Sequence, residues 1–218
     1  CHILLEQGDG PAVIFDIGGG STELVLVENQ PGAMPRILDW QSVPWGVVSL
    51  TEICGSEAPD YDARIARYGR MRQLVHDSLA PFAQRIAPAI ETEQELRLLG
   101  TSGTVTTLAS VHLDLPQYDR NAVDGLIVPA EAMRAISARL SSQSPEERRQ
   151  QACIGRERSD LVVAGCAILE TILDIWPADR LGVADRGIRE GVLRSLMASG
   201  SEAERSRMAL RQLRRRGA

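Results

Sequence analysis

Residues 13–27 read Val-Ile-Phe-Asp-Ile-Gly-Gly-Gly-Ser-Thr-Glu-Leu-Val-Leu-Val, and this stretch decides the fold of the chain. Two apolar runs, 13–15 and 24–27, flank three consecutive glycines, which predicts a β-hairpin whose strands are buried on both faces. Glycine at three successive positions supplies main-chain conformations with positive φ and keeps Cβ atoms away from any group that approaches the turn. The bare N–H groups of such a turn form a concave nest that suits an anion.

A carboxylate stands on each side of the glycine turn, with two hydroxyl side chains between them. Because carboxylates repel phosphate, this pattern predicts a divalent cation such as Mg²⁺ between them and the anion. We therefore predict a phosphate-binding loop in which Asp16 and Glu23 bind the metal and act in catalysis. The predicted phosphate-binding residues are Gly18, Gly19, Gly20, Ser21 and Thr22. The alternative is an ordinary glycine-rich hairpin whose two carboxylates only solvate the turn.

A second glycine turn follows the apolar run at residues 96–101 and continues into a helical pattern. A turn that opens a helix directs N–H groups and the positive end of the helix dipole at one place. We predict that this turn binds substrate phosphate or a nucleotide. The residues concerned are Gly100, Thr101, Ser102, Gly103 and Thr104. The alternative is a tight strand-to-helix connection in which Thr101 or Ser102 caps the helix.

Strand and helix signals alternate along the rest of the chain. Residues 36–43 predict a third strand that extends the hairpin into a meander, and residues 60–90 predict a long helix that Pro81 kinks or restarts. Residues 96–101 and 180–184 predict two further strands. The predicted fold is therefore α/β, a mixed five-stranded sheet with flanking helices.

The segment between the last two predicted strands contains several helix-start signals. Asp124, which precedes Gly125, is expected to be a turn residue. Ser144 opens a capping-box sequence, and Ser159 or Asp160 is expected to cap the apolar helix that follows.

The composition excludes several classes of function. With 218 residues, 44% of them hydrophobic and 24% charged, the chain has enough apolar material for one compact domain. A net charge of −5 and an aromatic content of 4% argue against nucleic-acid binding, which needs basic faces and stacking side chains. All 24 basic residues are arginine, and a Walker-type phosphate loop is excluded because it needs a lysine.

Residues 1–11, which include a turn cluster at 8–11, are predicted to be the tail of a preceding element. Residues 12–199 are predicted to form the domain, and residues 200–218 an arginine-rich C-terminal tail.

The four cysteines lack CxxC spacing, so neither a zinc site nor a disulfide framework is predicted, and we expect a reduced cytoplasmic protein. The most apolar helical stretch, 161–176, is too short and too acidic to span a membrane, so no membrane association is expected.

The segment 16–23, Asp-Ile-Gly-Gly-Gly-Ser-Thr-Glu, resembles the second phosphate loop of the exopolyphosphatase and guanosine pentaphosphate phosphatase family. That family belongs to the superfamily of actin, sugar kinases and heat-shock chaperone ATPases. The similarity covers most of residues 12–197 and includes the turn at 100–108, an Arg-x-Asp helix opening within 156–160 and the Arg-Glu-Gly pattern at 189–191. Residues 121–128 and 129–140 also resemble a strand and a helix that are inserted in the family's fold. It implies a ribonuclease H-like sheet and makes this chain the second of two such domains, between which the family's active site lies.

The resemblance implies a phosphohydrolase that removes the terminal phosphate of inorganic polyphosphate or guanosine pentaphosphate, with Mg²⁺ assisting the attack of water. Glu23 would also align that water, and no strong base is needed if the transition state is loose. Arg156 and Arg158 are predicted to lie at a solvated helix start rather than to face an anionic substrate. Both candidate substrates present the same terminal group, so the sequence does not separate them.

In family members the first phosphate loop and the glutamate regarded as the general base lie upstream of the segment that this chain resembles. We therefore expect a half-site with little or no turnover alone, which a missing N-terminal domain would complete. The alternatives are an ATP-binding kinase or ATPase half of the same superfamily, or a non-catalytic sensor that binds guanosine phosphates or polyphosphate. The oligomeric state, including a homodimer, and the role of the arginine-rich tail stay open.

Overall fold

The computed structural model describes residues 10–29, 35–55, 60–90, 95–155 and 158–185. The strands are β1 (Gly10–Ile17), β2 (Thr22–Asn29), β3 (Arg36–Val43), β4 (Arg97–Thr101), β5 (Ile127–Pro129) and β6 (Arg180–Ala184). The helices are α1 (Val47–Ile53), α2 (Tyr61–Ile90), α3 (Gly103–His112), α4 (Arg120–Val123), α5 (Ala130–Ser142), α6 (Pro145–Arg149) and α7 (Leu161–Ile175). The predicted α/β class and the predicted hairpin are confirmed.

The described strands form one six-stranded sheet in the order β3-β2-β1-β4-β6-β5. The first three strands are antiparallel, β1, β4 and β6 run parallel, and β5 pairs antiparallel with β6 at the edge. The sheet is mixed as predicted, but the count of five strands was wrong. The inserted segment joins the sheet through the pairing of β5 with β6 and through two adjacent hydrogen bonds, from Gly125 N to Val183 O (2.9 Å) and from Val183 N to Leu126 O (2.8 Å). A strand was expected over residues 121–128, but the structure has the short helix α4 there, followed by the three residues of β5.

The two faces of the sheet have different partners. Val13, Phe15 and Ile17 belong to the large core cluster, to which helices α1, α2, α3, α5 and α7 contribute. Ala12 and Ile14 belong to a smaller cluster on the opposite face, and its members in the described ranges all come from strands. This alternation follows the two-residue period of a strand. By the same period the side chain of Asp16 lies on the face of the smaller cluster.

Helix α2 runs through 30 residues without interruption, although it contains Pro81 and Pro88. The predicted restart at Pro81 was therefore wrong. Both prolines are exposed, and so is Asp77, whose carbonyl loses its helical partner at Pro81 and can be hydrated instead. Just after Pro81, Phe82 packs edge-to-face on Trp176, with ring centroids 5.9 Å apart, and this contact holds the second half of the helix on the core.

Of the two helix caps predicted from the sequence, the structure contains the one at the start of α6 but not a side-chain cap at the start of α7. The capping box of α6 is present: Ser144 N donates to Glu147 Oε2 (2.7 Å), and Glu147 N donates to Ser144 Oγ (3.3 Å). The hydrogen bonds from Ser144 hold the pKa of the Glu147 carboxyl below its usual value. Asp160 occupies the N-cap position of α7, but its side chain makes no capping hydrogen bond.

The remaining sequence predictions concern the start of β1, the residues outside the described ranges and membrane association. Strand β1 begins at Gly10, so two residues of the predicted turn at 8–11 belong to the strand. The arginine-rich tail, Arg156 and the Arg-Glu-Gly pattern at 189–191 lie outside the described residues. Among the helices that the structure describes, none combines the length and apolarity needed to cross a bilayer.

Replacing the helical glycines Gly165 of α7 and Gly69 of α2 by alanine is predicted to change the stability in opposite directions. A Cβ atom on Gly165 would lie 2.5 Å from Thr104 Cγ2 in α3, whereas one on Gly69 in α2 would meet nothing within 4 Å. We expect Gly165→Ala to lower the free energy of unfolding by about 1–3 kcal/mol. The control Gly69→Ala removes a helical glycine without a clash and should raise the free energy of unfolding by about 0.5–1 kcal/mol. Urea denaturation measures both, and equal effects would contradict the described contact of α3 with α7.

Candidate functional site

A cleft of about 340 Å³ lies at the C-terminal ends of β1 and β4. Because these strands are parallel neighbours, the two turns that follow them start at the same edge of the sheet. The starts of α1, α3 and α7 form the rest of the wall. The cleft is lined by Asp16, Ile17, Gly18, Gly19, Val47, Ser102, Gly103, Thr104, Thr107, Arg158, Leu161 and Val162. Its volume falls at the lower end of the range for small-ligand sites, roughly 300–1,000 Å³.

The glycine loop after β1 rests against the start of α1. The first two N–H groups of α1 donate to the carbonyls of Gly18 (2.9 Å) and Gly19 (2.8 Å). A Cβ atom on Gly46 would lie 2.4 Å from the Gly19 main chain, so a side chain there would prevent the contact. None of the three loop glycines has a positive φ, and the prediction of such conformations was wrong. The close approach of the two main chains depends instead on Gly46, which has no Cβ atom.

This contact also orients the amide groups of the loop. In a planar trans peptide the carbonyl of one residue and the N–H of the next point in opposite directions. Since the carbonyls of Gly18 and Gly19 point at α1, the N–H groups of Gly19 and Gly20 point away from it. Among the described residues, none accepts a hydrogen bond from either N–H. Both groups are thus exposed donors of the kind that bind an anion.

The two carboxylates of the loop lie on the same face of the sheet. Asp16 and Glu23 are register partners across β1 and β2, and opposed residues of an antiparallel pair have Cβ atoms about 4.5–5.5 Å apart. Asp16 lines the cleft. Glu23 does not, and its Oε1 accepts hydrogen bonds from the hydroxyls of Ser21 (2.5 Å) and Ser42 (3.1 Å). The Glu23 carboxylate is therefore held in one orientation beside the cleft.

The remaining predicted loop residues lie further from the cleft. Thr22 is fully buried, and its hydroxyl donates to the carbonyl of Trp45 at 2.6 Å, which ties β2 to the segment before α1. Gly20 and Ser21 are outside the cleft lining as well. Of the first predicted set, the structure places Asp16, Gly18 and Gly19 in the cleft.

The carboxylate oxygens of Asp16 and Glu23 are ligands of the type that magnesium prefers. Within the described part of the chain, no group of three or more His, Cys, Asp or Glu residues could hold a metal ion. Magnesium does not require such a group, because it is commonly bound by one or two carboxylates together with substrate phosphates and water. Asp16 and Glu23 can supply such a pair, with one oxygen of Glu23 already bonded to two hydroxyls.

The second predicted turn reaches the cleft through its last three residues. Ser102 occupies the N-cap position of α3 with φ 126° and ψ 166°, a conformation that is essentially restricted to glycine. Its hydroxyl makes no capping hydrogen bond, so the predicted alternative of a serine cap is wrong for Ser102. The hydroxyls of Ser102 and of the fully buried Thr101 have no partner in the described ranges. Gly100 and Thr101 lie outside the cleft lining, and Gly100 packs against Phe15.

The sequence predicted that Arg158 lies at a solvated helix start and did not indicate its place in the cleft. Its side chain lines the cleft, and Nη1 lies 3.7 Å from where a Cβ on Gly103 would be, next to the start of α3. It is exposed, and no carboxylate of the described residues forms an ion pair with it. The Arg-x-Asp spacing was the available signal, but the position of the arginine opposite the second turn is a consequence of how α7 packs.

A polar cluster at the end of β6 lies next to the cleft but does not line it. The Asp185 N–H donates to Asp124 Oδ1 at 3.0 Å, and the Asp185 carboxylate pairs with Arg120 at 2.9 Å. Burial raises the pKa of Tyr118 to about 12, and the negative charge of Asp185 adds to this shift. Asp124 therefore has the structural role in a turn that its sequence context predicted.

The sheet order, the helical layer and a cleft at the ends of parallel strands define a ribonuclease H-like domain of the actin-like ATPase type. The sequence model of the Ppx/GppA phosphatase family matches residues 1–200, and the chain belongs to this family. The crystal structure of the Aquifex aeolicus family member is similar, with a TM-score of 0.69 and 26% identity over 88% of this chain and 58% of that one.

Curated relatives agree with this assignment. Exopolyphosphatase 2 of Mycobacterium tuberculosis is 29% identical over 196 residues, which are 88% of this chain and 57% of the relative. Guanosine-5'-triphosphate,3'-diphosphate pyrophosphatase of Aeromonas hydrophila is 23% identical over 91% of this chain and 36% of its own length. The chain thus spans little more than half of the length of the exopolyphosphatase it matches.

The unusual backbone of Ser102 predicts that glycine is more stable at this position. Relief of the backbone strain should stabilise the protein by about 1–3 kcal/mol, and the greater freedom of glycine in the unfolded chain should cost about 0.5–1 kcal/mol. Ser102→Gly should therefore raise the free energy of unfolding by about 1 kcal/mol. Asp114 also has a positive φ, 51°, but aspartate tolerates that region, and the control Asp114→Gly should change stability by less than about 0.5 kcal/mol. A destabilised Ser102→Gly protein in urea denaturation would contradict the strain.

Proposed function

We propose that this chain is the phosphate-binding half of a phosphoanhydride hydrolase that acts on the terminal phosphate of inorganic polyphosphate or guanosine pentaphosphate. The observation that carries the proposal is the convergence of several anion-binding elements on one cleft. Gly19 of the glycine loop with its exposed N–H group, the uncapped start of α3, the start of α7 and the Arg158 side chain line the same cleft as Asp16. The names and activities of the relatives support the same class of reaction.

The electrostatics of the cleft favour an anion. Each helix N-terminus acts as roughly half a positive charge, and neither Ser102 of α3 nor Asp160 of α7 satisfies the first N–H groups with its side chain. Arg158 adds a full positive charge. Asp16 opposes binding of a bare phosphate, and this repulsion is the physical reason for proposing a divalent cation at the site.

The proposed reaction requires little covalent chemistry from the protein. Hydrolysis of a phosphoanhydride passes through a loose transition state, so orientation and charge neutralisation supply most of the rate. The N–H groups of Gly19 and Gly20 would hold non-bridging oxygens of the terminal phosphate, and Arg158 would neutralise the next phosphate along the chain. When bound by Asp16 and Glu23, Mg²⁺ would supply charge neutralisation of the phosphate group. Glu23, oriented by two hydroxyls, is suited to align the attacking water.

We further propose that the chain is a half-site. The match to its exopolyphosphatase relative covers 57% of that relative's length. In this proposal a further domain supplies the general base and a second set of phosphate ligands. The same domain would close the cleft, exclude water and select between polyphosphate and guanosine pentaphosphate.

The anion-binding role of Arg158 can be measured by calorimetric titration of tripolyphosphate in the presence of Mg²⁺. Arg158→Ala should weaken binding about tenfold, because it removes a charge-assisted hydrogen bond to phosphate. The control Arg36→Ala removes an equal charge from the start of β3, where Arg36 pairs with Glu28, and should change the affinity by less than about twofold. Tighter binding of ATP than of tripolyphosphate would favour a kinase or ATPase half instead.

Asp16→Asn should remove most of the dependence of tripolyphosphate binding on Mg²⁺, because a neutral amide binds magnesium far less well than a carboxylate. Titrations with and without the metal check this. The matched control is Asp77→Asn, an exposed aspartate of α2 remote from the cleft. An equal metal dependence in wild type and Asp16→Asn would count against Asp16 as a ligand.

The half-site proposal predicts no measurable release of phosphate when the 218-residue chain is incubated alone with long-chain polyphosphate and Mg²⁺. Release should appear when the chain is joined to the upstream domain of a family member. Turnover by the chain alone that Asp16→Asn abolishes would show that the half-site proposal is wrong. Tight binding without hydrolysis in the joined protein would identify a sensor.

A further inference from the structure

A completely buried arginine lies behind the cleft. Arg148, in α6, has no exposed side-chain surface. Its Nε donates to the carbonyl of Ser159 at 2.8 Å, and its Nη1 donates to the carbonyls of Leu140 (3.2 Å) and Gln143 (2.5 Å). One side chain therefore joins the end of α5, the connection to α6 and the segment that leads into α7.

The bond to Ser159 has a direct consequence for the cleft. Ser159 follows Arg158 in the chain and is itself buried, with 1% of its surface exposed. Two residues later α7 begins, and its first two residues line the cleft. The hydrogen bond from Arg148 thus holds the main chain between the one arginine of the cleft lining and the helix start beside it.

The chemistry of the guanidinium suits this role. Removing a positive charge from water is costly, and hydrophobic residues of similar size often stabilise an interior as well or better. An arginine is useful there when several acceptors in different directions must be held in fixed geometry, because its planar group has five donors. Of the three carbonyls that it binds, two belong to the C-terminal end of α5 and one to the segment before α7.

We propose that Arg148 is a positioning residue of the cleft, which holds Arg158 and the start of α7 where they bind a substrate phosphate. The inference rests on the proposed function of the cleft as a phosphate site. Arg148 does not touch the substrate and acts only through Arg158 and α7. The α6 capping box, in which Ser144 and Glu147 bond to each other, keeps the helix that carries Arg148 in place.

A double-mutant cycle on tripolyphosphate affinity tests the proposal. Arg148→Lys keeps the charge, but its single ammonium group cannot reproduce the fork of donors. We expect it to weaken binding about fivefold in the wild-type background and by less than about twofold in the Arg158→Ala background, since residues that act through one another are not additive. Equal losses in both backgrounds would overturn the proposal.

A stability-matched control separates positioning from general destabilisation. Leu173→Ala removes a core side chain in the last turn of α7, about 18 Å along the helix from its start. It should lower the melting temperature as much as Arg148→Lys or more, and leave the affinity within about twofold of wild type. If Arg148→Lys does not fold, Ser144→Ala replaces it in the same cycle, because it removes only the cap of α6. An unchanged affinity in that variant would also overturn the proposal.

The outcomes distinguish this inference from the proposed function. Absence of tripolyphosphate binding by the wild type, or no effect of Arg158→Ala, would overturn the phosphate cleft itself. Binding that depends on Arg158 but not on Arg148 would leave the cleft intact and overturn only the positioning role.

Discussion

The parallel pairing of β1 with β4 is the constraint on which the cleft depends. Its register places Asp16 beside Thr101, so the two turns that follow these strands begin at the same edge of the sheet. Helix α3 leaves from that edge, and its Thr104 packs against Gly165 of α7, which brings the start of a third element to the same place. One ladder of main-chain hydrogen bonds and one helix contact thus bring together groups as far apart in sequence as Asp16 and Leu161.

The glycine loop illustrates how packing, rather than intrinsic conformation, produces a binding surface. Its carbonyls satisfy the first N–H groups of α1, which would otherwise lack partners at the helix start. Because each peptide unit is rigid, the same bonds direct two N–H groups outward. A structural requirement of α1 therefore orients the donors of the loop. The close contact at Gly46 shows that this arrangement leaves no room for a side chain at the residue before α1.

Sequence reasoning succeeded where a local pattern is sufficient. Two continuous apolar runs on either side of three glycines indicated the hairpin, and the spacing of Ser144 and Glu147 indicated a cap that the structure contains. It failed where the outcome depends on distant partners. The segment 121–128, expected to be an inserted strand, forms α4 and the three-residue β5, which pairs with β6. Pro81 does not interrupt α2, and both Pro81 and Asp77, whose carbonyl it leaves without a helical partner, are exposed residues.

The sequence by itself determined the α/β class, the two turns that border the cleft and the membership of the Ppx/GppA phosphatase family, because short-range periodicity and motif spacing encode these properties directly. Only the tertiary structure decided which residues of those turns face the cleft and that Arg158 joins them. The physical reason is that side-chain direction at a turn depends on contacts with other elements. Those contacts, from α1 to the glycine loop and from Arg148 to Ser159, link residues that no local pattern connects.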